Sequence, residues 1–378
     1  MLRPSILCKK LILFVFLCTL LFGGGCTTVS ISKDDYDFII TDLNTVYYFR
    51  WNNNETPSSG ITLVRSHERN EDRVAYWKNM FWKSGDYFFT KTSVGEGMKV
   101  YLARINPNNY SVKSVRHTSN DVYSCVADEN FFYVTSVFPN EIIFEKYNLD
   151  LDLVLTKAIP SIKGITLPNQ IVPVGNKLYV LIALFPDGKK HGYVENRLWQ
   201  MDHDFNITSD VDLQFYEGGY TQMTTGKNVL YISQTTKGIL PSGDAGPGNQ
   251  ILTYDLTSDS MISQILELDT NYPKDLVCED SNNYLVVFHD FTRLHDYAWT
   301  FINLKNGQQS VLNSDVLGFD LNIQALPPYF TVYKGLCYIL LDKQLVVYNL
   351  HDQTVDRVSL EEFNLNIAHN IMFKTIED

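Results

Sequence analysis

The chain has 378 residues, of which 45% are apolar and 13% aromatic, including 23 Tyr and 22 Phe. This composition supplies a large hydrophobic core and excludes a disordered chain. The formal net charge is −12 and no run of Lys and Arg exceeds two residues, which excludes the basic surface of a nucleic-acid-binding protein. Because aromatic and β-branched residues favour strands, the composition favours an all-β protein.

The N-terminal residues have the pattern of an export signal. Three basic residues precede a 12-residue apolar run, Leu11–Phe22, and the small residues and cysteine of Gly23–Cys26 follow. The apolar run is shorter than the roughly 20 residues that a membrane-spanning helix needs. We therefore expect a cleavable signal over residues 1–25.

The end of this signal resembles the lipobox of bacterial lipoproteins, in which a cysteine becomes the acylated N-terminus of the mature chain. Small residues before Cys26 fit that pattern, although Gly23 stands where the family favours Leu. The resemblance implies palmitate on Cys26, a tether over 26–34 and export to a bacterial membrane, held there through the lipid anchor only. An ordinary cleaved signal, or an uncleaved anchor with an incidental thiol at Cys26, is the alternative.

Three further cysteines, Cys125, Cys278 and Cys337, lie far apart in strand-like segments. This odd and dispersed set indicates buried thiols rather than a disulfide framework. The sequence has no CxxC or HxxxH pair, so we expect no metal site and no cofactor.

The mature chain repeats one pattern, in which a turn is followed by a strand, a loop, and a second strand ending near an Asx-Leu pair. In chain order, the paired strands are Asn44–Phe49 with Gly60–Val64, Asp86–Phe89 with Val100–Ile105, Asn130–Val134 with Ile142–Leu149, Gly175–Ile182 with Arg197–Asp202, Gly226–Ser233 with Gln250–Leu256, Asn282–Phe288 with Tyr297–Leu304, and Lys334–Leu341 with Gln344–Leu350. The turns that open the seven units are spaced by 42, 44, 46, 51, 55 and 52 residues. Four short strands and their turns need about 40 to 50 residues, so this spacing predicts a β-propeller of seven four-stranded blades over 35–378.

An apolar stretch ahead of each turn supplies the innermost strand, and Tyr36–Ile40 is the predicted inner strand of the first blade. The tail Ile367–Lys374 pairs as the outer strand of that blade or begins an eighth unit. A β-sandwich or two stacked β-domains is the alternative fold. The architecture resembles the broad group of bacterial propeller lipoproteins, but no family-specific blade motif is present whose functional residues could be transferred.

Four connections between the second and third strands of a blade are long, and in a propeller such connections open on one face. They are Trp51–Ser59, Phe185–Asn196, Gln234–Asn249 and His289–Asp296. Long loops on a rigid scaffold are common binding sites, so this face is the predicted site. The glycine-rich part of Gln234–Asn249 is predicted to be a mobile flap.

Candidate ligand-binding residues are concentrated in two of these loops. The first carries His289, Asp290, Arg293, His295 and Asp296, which together could bind a divalent metal or an anion or transfer protons. A solvated loop held by local hydrogen bonds is the alternative for this group.

The second loop carries Lys189, Lys190, His191 and Tyr193, which could contact an acidic or sugar ligand, or simply form an exposed turn. Trp51, at the start of another long loop, is the aromatic candidate for binding.

No linear catalytic motif is present, neither a GxSxG elbow nor HExxH, a P-loop or a Rossmann fingerprint. Two functions follow from different classes. The first is a membrane-tethered binding or assembly module for a cell-envelope protein or glycan. The second is an envelope hydrolase or lyase that acts on a glycan or peptide with a site at the propeller funnel.

Overall fold

A computed structural model describes most of the chain after the predicted signal. The described residues are 36–42, 45–52, 60–68, 73–74, 81–94, 99–119, 122–162, 164–185, 194–213, 218–242, 245–258, 260–279, 281, 283–291, 296–318, 328–365 and 367–374. None of the helices in these ranges is long and apolar enough to cross a membrane. Cys26 and the predicted signal lie outside them.

Strands account for nearly all of the regular structure. They are β1 (Phe38–Thr41), β2 (Thr45–Trp51), β3 (Ile61–Glu68), β4 (Arg73–Val74), β5 (Phe81–Ser84), β6 (Tyr87–Val94), β7 (Lys99–Asn106), β8 (Ser111–Arg116), β9 (Val122–Ala127), β10 (Phe131–Phe138), β11 (Glu141–Asn148), β12 (Leu153–Pro160), β13 (Ile165–Val174), β14 (Lys177–Phe185), β15 (Glu195–Asp202), β16 (Ile207–Asp212), β17 (Gly218–Thr225), β18 (Val229–Ile239), β19 (Ala245–Asp255), β20 (Ser260–Glu267), β21 (Pro273–Glu279), β22 (Tyr284–Phe291), β23 (Asp296–Asn303), β24 (Gln309–Leu312), β25 (Tyr329–Tyr333), β26 (Leu336–Leu340), β27 (Gln344–Asn349), β28 (Val355–Ser359) and β29 (Asn370–Phe373). A one-turn helix α1 (Ser314–Leu317) and a 3-10 turn (Glu361–Phe363) complete the described elements.

These strands form seven antiparallel sheets, and the predicted all-β propeller of seven four-stranded blades is confirmed. Blades 3 to 7 each use four consecutive strands, from β9–β12 to β25–β28. In blade 2, β4 and β5 pair with the same edge of β6. Strand β4 pairs with Thr92 and Ser93 of β6, and β5 pairs with Tyr87–Thr90 of β6. They are therefore two pieces of one inner strand.

The first blade closes the ring, but its strand order differs from the one predicted from the sequence. Its strand order is β29-β1-β2-β3, and the residues of β29 are all buried, whereas most of β3 is exposed. The tail is therefore the inner strand of this blade, neither its outer strand nor an eighth unit. The predicted inner strand β1 takes the second position, and every later strand of the blade moves outward by one.

The core lies between the blades, where aromatic side chains from neighbouring sheets meet. Trp199 and Trp299 are 1% and 0% exposed. Between blades 6 and 7, Phe301 and Tyr348 stack with ring centroids 3.8 Å apart and planes inclined by 6°. Such pairs add about 0.5–1.5 kcal/mol to the burial of the rings themselves, so the seams hold the blades in a fixed order.

The recurring Asx residue near the end of the third strand has a structural role in the turn that follows. In blades 3 and 4, Asn148 and Asp202 accept hydrogen bonds at 2.9 Å from the amides of Asp150 and Asp204. Equivalent bonds are made by Asn106, Asp255, Asn303 and Asn349. Asx side chains stabilise such turns because they bond to the backbone two residues on.

Charged side chains tie consecutive blades together at these turns. Arg104 of blade 2 donates to Asp150 of blade 3 at 2.9 Å, and Lys146 of blade 3 donates to Asp204 of blade 4 at 3.0 Å. A buried pair, His117 with Glu145, joins blades 2 and 3. Burial alone would lower the pKa of His117, but its bonds to Glu145 and Ser119 outweigh that effect and raise it.

None of the three cysteines of the described propeller forms a disulfide bond. Cys125 and Cys337 are buried and Cys278 is partly buried. Burial raises the pKa of Cys125 to about 12. Because the thiolate is the reactive form, Cys125 is an inert core residue.

Candidate functional site

The two ends of the ring differ in their connections. The upper face carries the connections between the second and third strands of each blade and the connections between blades, and the lower face carries the remaining turns. On the upper face, three neighbouring blades, 4 to 6, project the hairpins β14–β15, β18–β19 and β22–β23. The strand ends that bound three of the four predicted long connections therefore face the same side of the ring.

The fourth connection and its aromatic candidate lie elsewhere. Because β2 is the third strand of its blade, the connection after Trp51 opens on the lower face. Trp51 itself is 7% exposed and packs against Phe38, with ring centroids 4.7 Å apart, and against Tyr338. It belongs to the core between blades 1 and 7.

Part of the predicted flap in blade 5 is paired. Strands β18 and β19 form a hairpin whose pairing extends as far as Ile239 and Ala245. Gly246 and Gly248 permit this close pairing, since a Cβ on Gly248 would lie 2.2 Å from the backbone oxygen of Gln234. Gly246 and Gly248 therefore allow the two backbones to approach each other.

Close to the upper face, the inner strands of blades 3 to 6 each contain a β-bulge at the same position. The residue left without a partner in the register is Tyr123, Asn169, Thr221 or Lys274. All four are partly exposed, and each directly follows a buried residue. Bulges re-aim side chains and are common beside functional sites. We call these four residues the bulge row.

Hydrogen bonds connect the bulge row from blade to blade around the channel. The Tyr123 hydroxyl donates to Asn169 Oδ1 at 3.5 Å, and Asn169 Nδ2 donates to the Tyr220 carbonyl at 3.0 Å. Thr221 Oγ1 donates to the Lys274 carbonyl at 3.4 Å. These contacts place the four residues next to one another in consecutive blades.

The inner strands on the opposite side of the ring make a different contact. There the inner strands of blades 2 and 7 meet through Phe81 and Tyr329, whose ring centroids are 6.0 Å apart. Both side chains are buried, at 5% exposure each. The described residues therefore place the polar bulge row in blades 3 to 6 and a buried aromatic contact between blades 7 and 2.

An ion pair ends the bulge row in blade 6. Lys274 Nζ donates to Asp290 Oδ2, and the side chains are 32% and 2% exposed, respectively. Asp290 Oδ1 is also buried, and it has no hydrogen-bond partner among the described residues. Burial raises the pKa of the adjacent Tyr297, and the charges of Asp290 and Asp342 raise it further. The Asp290 carboxylate thus lies in a partly desolvated site with other acidic groups nearby.

His289 lies beside this pair but is not available to a ligand. It is 0% exposed, its Nδ1 donates to the Asn271 carbonyl at 2.8 Å, and its Nε2 accepts from Thr300 Oγ1 at 2.8 Å. Burial lowers the pKa of His289 to about 4. A neutral imidazole with both nitrogens bonded to the protein holds the hairpin of blade 6 in place.

This histidine predicts an acid-sensitive contribution to stability. Its pKa in the folded protein is below the value of 6.5 expected in the unfolded chain, so the contribution is present above pH 6.5 and is lost as pH falls toward 4. We expect the stability advantage of wild type over His289→Gln to shrink by about 3 kcal/mol across that range. Urea unfolding between pH 7.5 and 4 measures it.

Substitution of the exposed His351 by Gln is the control. The difference in stability between wild type and this variant should not shrink in the same way as pH falls. A difference between wild type and His289→Gln that stays constant with pH would contradict the buried neutral state of His289.

The other predicted binding residues are not placed by the structure. Arg293 and His295 lie outside the described residues, and Asp296 is described as the start of β23 without its side chain. The candidates of the second loop, Lys189, Lys190, His191 and Tyr193, also lie outside the described residues. Within the described ranges, no group of three or more His, Cys, Asp and Glu side chains is placed to hold a metal ion.

The bulge row was not predicted from the sequence, although part of its signal was present. Pro168 and Pro273 directly precede two of the bulged residues. Proline cannot donate to a strand ladder, and inside a sheet it is found at edges, at strand starts and at bulges. The arrangement offers two hydroxyls, an amide and an ammonium to a polar ligand at the channel mouth.

Comparison with known proteins supports the fold. No protein-family model matches the sequence, and no curated protein matches it. Among solved structures, the periplasmic gluconolactonase PpgL of Pseudomonas aeruginosa superposes with a TM-score of 0.59 at 10% identity, covering 90% of this chain and 99% of that one. The similarity defines a β-propeller and, at this identity, nothing more specific.

Two further chains superpose over the same share of this protein. One is from Bacteroides uniformis, with a provisional assignment as a 6-phosphogluconolactonase, a TM-score of 0.53, 11% identity and 100% of its length covered. The other is a functionally unknown protein from Desulfotomaculum acetoxidans, with a TM-score of 0.53, 12% identity and 100% of its length covered. Each covers 90% of this chain. Their similarity again concerns the fold.

Proposed function

We propose that this protein is a binding module of the cell envelope, held at a membrane by a lipid on Cys26. Its partner, an envelope protein or glycan, binds at the upper mouth of the channel. The observation that carries the proposal is the bulge row, which repeats one local distortion in four consecutive blades. A distortion that recurs at one position, with polar and partly exposed side chains, is better explained by a site than by packing.

The position of the chain's first described residue supports the proposed orientation. The Tyr36 hydroxyl donates to the Pro107 carbonyl at 2.7 Å, in the lower-face turn between β7 and β8. A tether over 26–34 has nine residues and reaches at most about 30 Å. A propeller anchored this way turns its lower face to the membrane and its channel mouth away from it.

A hydrolase acting on a glycan or peptide is the second candidate. What favours it is the group of ionisable side chains at the channel mouth, with Lys274, Asp290 and Tyr297 in blade 6 and Asp342 in blade 7. Two of the structural neighbours carry lactonase names, which suggests lactones and sugar esters as the first compounds for turnover assays. Turnover lost in Asp290→Asn would favour this candidate.

A blocking substitution tests the binding proposal. Thr221 is partly exposed in the bulge row, so Thr221→Trp should fill the channel mouth. We expect the full-length protein to capture an envelope partner after chemical crosslinking, and Thr221→Trp to reduce that capture at least tenfold. Thr257→Trp is the matched control, because Thr257 is exposed on the lower face of the same blade.

The capture experiment separates the two faces of the molecule. Equal loss in both variants would point to a folding defect, which thermal unfolding of each purified variant detects beforehand. Capture that Thr221→Trp leaves intact would refute a binding site at the channel mouth.

A further inference from the structure

We infer that the ligand of the channel mouth is a neutral carbohydrate, one of whose hydroxyl groups binds between Lys274 and Asp290. This inference rests on the proposed function and names its ligand class. It starts from the ion pair at the end of the bulge row, where one oxygen of the buried Asp290 carboxylate is paired and the other has no partner among the residues that the structure describes. A buried carboxylate oxygen without a partner is unfavourable and is rare in native proteins.

The chemistry of this pair discriminates between ligand classes. An anionic group that drew Lys274 away would leave the buried Asp290 unpaired. A cationic group would have to compete with Lys274 for the same carboxylate. A hydroxyl, in contrast, accepts from the ammonium and donates to the free carboxylate oxygen, so it satisfies both groups.

Access to that oxygen requires only a small movement. Asp290 Oδ1 is buried at present, but the carboxylate turns about the bond between Cβ and Cγ, a torsion with a broad and shallow profile. The Lys274 side chain is already 32% exposed. A hydroxyl bound to the ammonium therefore lies next to the carboxylate that accepts its hydrogen bond.

The remainder of the bulge row fits a polyhydroxylated ligand. Tyr123, Asn169 and Thr221 carry hydroxyl and amide groups that both donate and accept, and none of them is charged. The formal net charge of −12 also repels acidic sugars over a longer range. Neutral hydroxyl groups along a sugar chain match this arc better than the charged or apolar side chains of a peptide.

Isothermal titration calorimetry on the full-length protein tests the inference, in a detergent without a sugar headgroup. The probes are oligosaccharides of glucose, galactose, mannose and N-acetylglucosamine, with glucuronic acid, galacturonic acid and glucosamine as charged counterparts. We expect at least one neutral probe to bind, and its charged counterpart to bind at least tenfold more weakly.

The variant K274M/D290L removes the polar pair while it preserves volume, a replacement that buried ion pairs commonly tolerate. We expect it to weaken binding of the neutral probe at least tenfold. The matched control is K146M/D204L, which removes a Lys–Asp pair on the lower face and should bind as wild type does. Thermal unfolding of both variants confirms that they are folded.

Two results would overturn the inference: no neutral probe binds, or K274M/D290L binds as wild type does. These failures are distinct from failure of the proposed function. If Thr221→Trp abolishes capture of the envelope partner while every sugar fails, the channel mouth binds a ligand of another class, such as a peptide. If Thr221→Trp leaves capture intact, the binding site itself is elsewhere.

Discussion

A chain that ends at Leu365 is expected to fail to form a stable propeller. The deletion removes β29, in which Ile371, Met372 and Phe373 are at most 8% exposed and Phe373 stacks on Tyr333 with ring centroids 4.5 Å apart. Three buried apolar side chains contribute roughly 6 kcal/mol. That is a large part of the 5–15 kcal/mol by which a typical domain is stable.

The deletion also uncovers the inner edge of the first blade. Strand β1 would lose its partner over Phe38–Thr41 and would present unpaired backbone groups at the centre of the ring. Circular dichroism and size-exclusion chromatography should show an unfolded or aggregated chain. A chain ending at Lys374 keeps all of β29 and is the control. Cooperative unfolding of the shorter chain at a near-native temperature would contradict closure by β29.

Replacement of Lys274 by Ala is expected to destabilise the protein by about 3–5 kcal/mol, because it leaves Asp290 buried and unpaired. The apolar double variant K274M/D290L should lie much closer to wild type, because no charge remains buried. Urea unfolding at neutral pH measures both. The decisive result is which of the two variants is less stable. If Lys274 and Asp290 formed only a surface pair, its loss would cost less than 1 kcal/mol in either variant.

A loss of less than 1 kcal/mol in Lys274→Ala would show that Asp290 is solvated in solution. The pair would then be an ordinary surface contact, and the argument that it selects a hydroxyl would lose its basis. Lys305→Met, on the lower face, controls for removal of one positive charge.

The fold was largely predictable because the repeated blade has a pattern that can be recognised in the amino-acid sequence. An Asx residue closes the turn after the third strand in most blades, and Asn148 and Asp202 show its role in capping that turn. The Leu that follows the Asx also has a structural reason, since Leu304 and Leu350 donate amide bonds to Asn283 and Gly335 at the neighbouring turn of the same blade. Local chemistry of this kind can be recognised from sequence.

Ring closure could not be predicted in the same way. Strands β1 and β29 are both short and fully buried, so their sequences do not distinguish an inner strand from a second strand. Their order depends on a contact between the two ends of the chain. Because β29 takes the inner position of the first blade, the strand end after Trp51 faces the lower side of the ring, and Trp51 lies in the core.

The candidate site was only partly predictable for a related reason. The sequence singled out Asp290, but it grouped Asp290 with His289, which is fully buried. The pattern of apolar residues predicts where strands lie. A one-residue bulge, in contrast, depends on the register in which two strands pair. Lys274 and its neighbours in the bulge row therefore became visible only in the folded sheets.

The most direct test of a binding site at the channel mouth is photocrosslinking in the native envelope. A photoreactive amino acid at position 221 should give a discrete adduct with one envelope component, and the same amino acid at position 257 of the lower face should not. A binding site at the channel mouth should give an adduct at 221 that a neutral oligosaccharide competes away. Equal adducts from both positions, or an adduct from 257 alone, would contradict it.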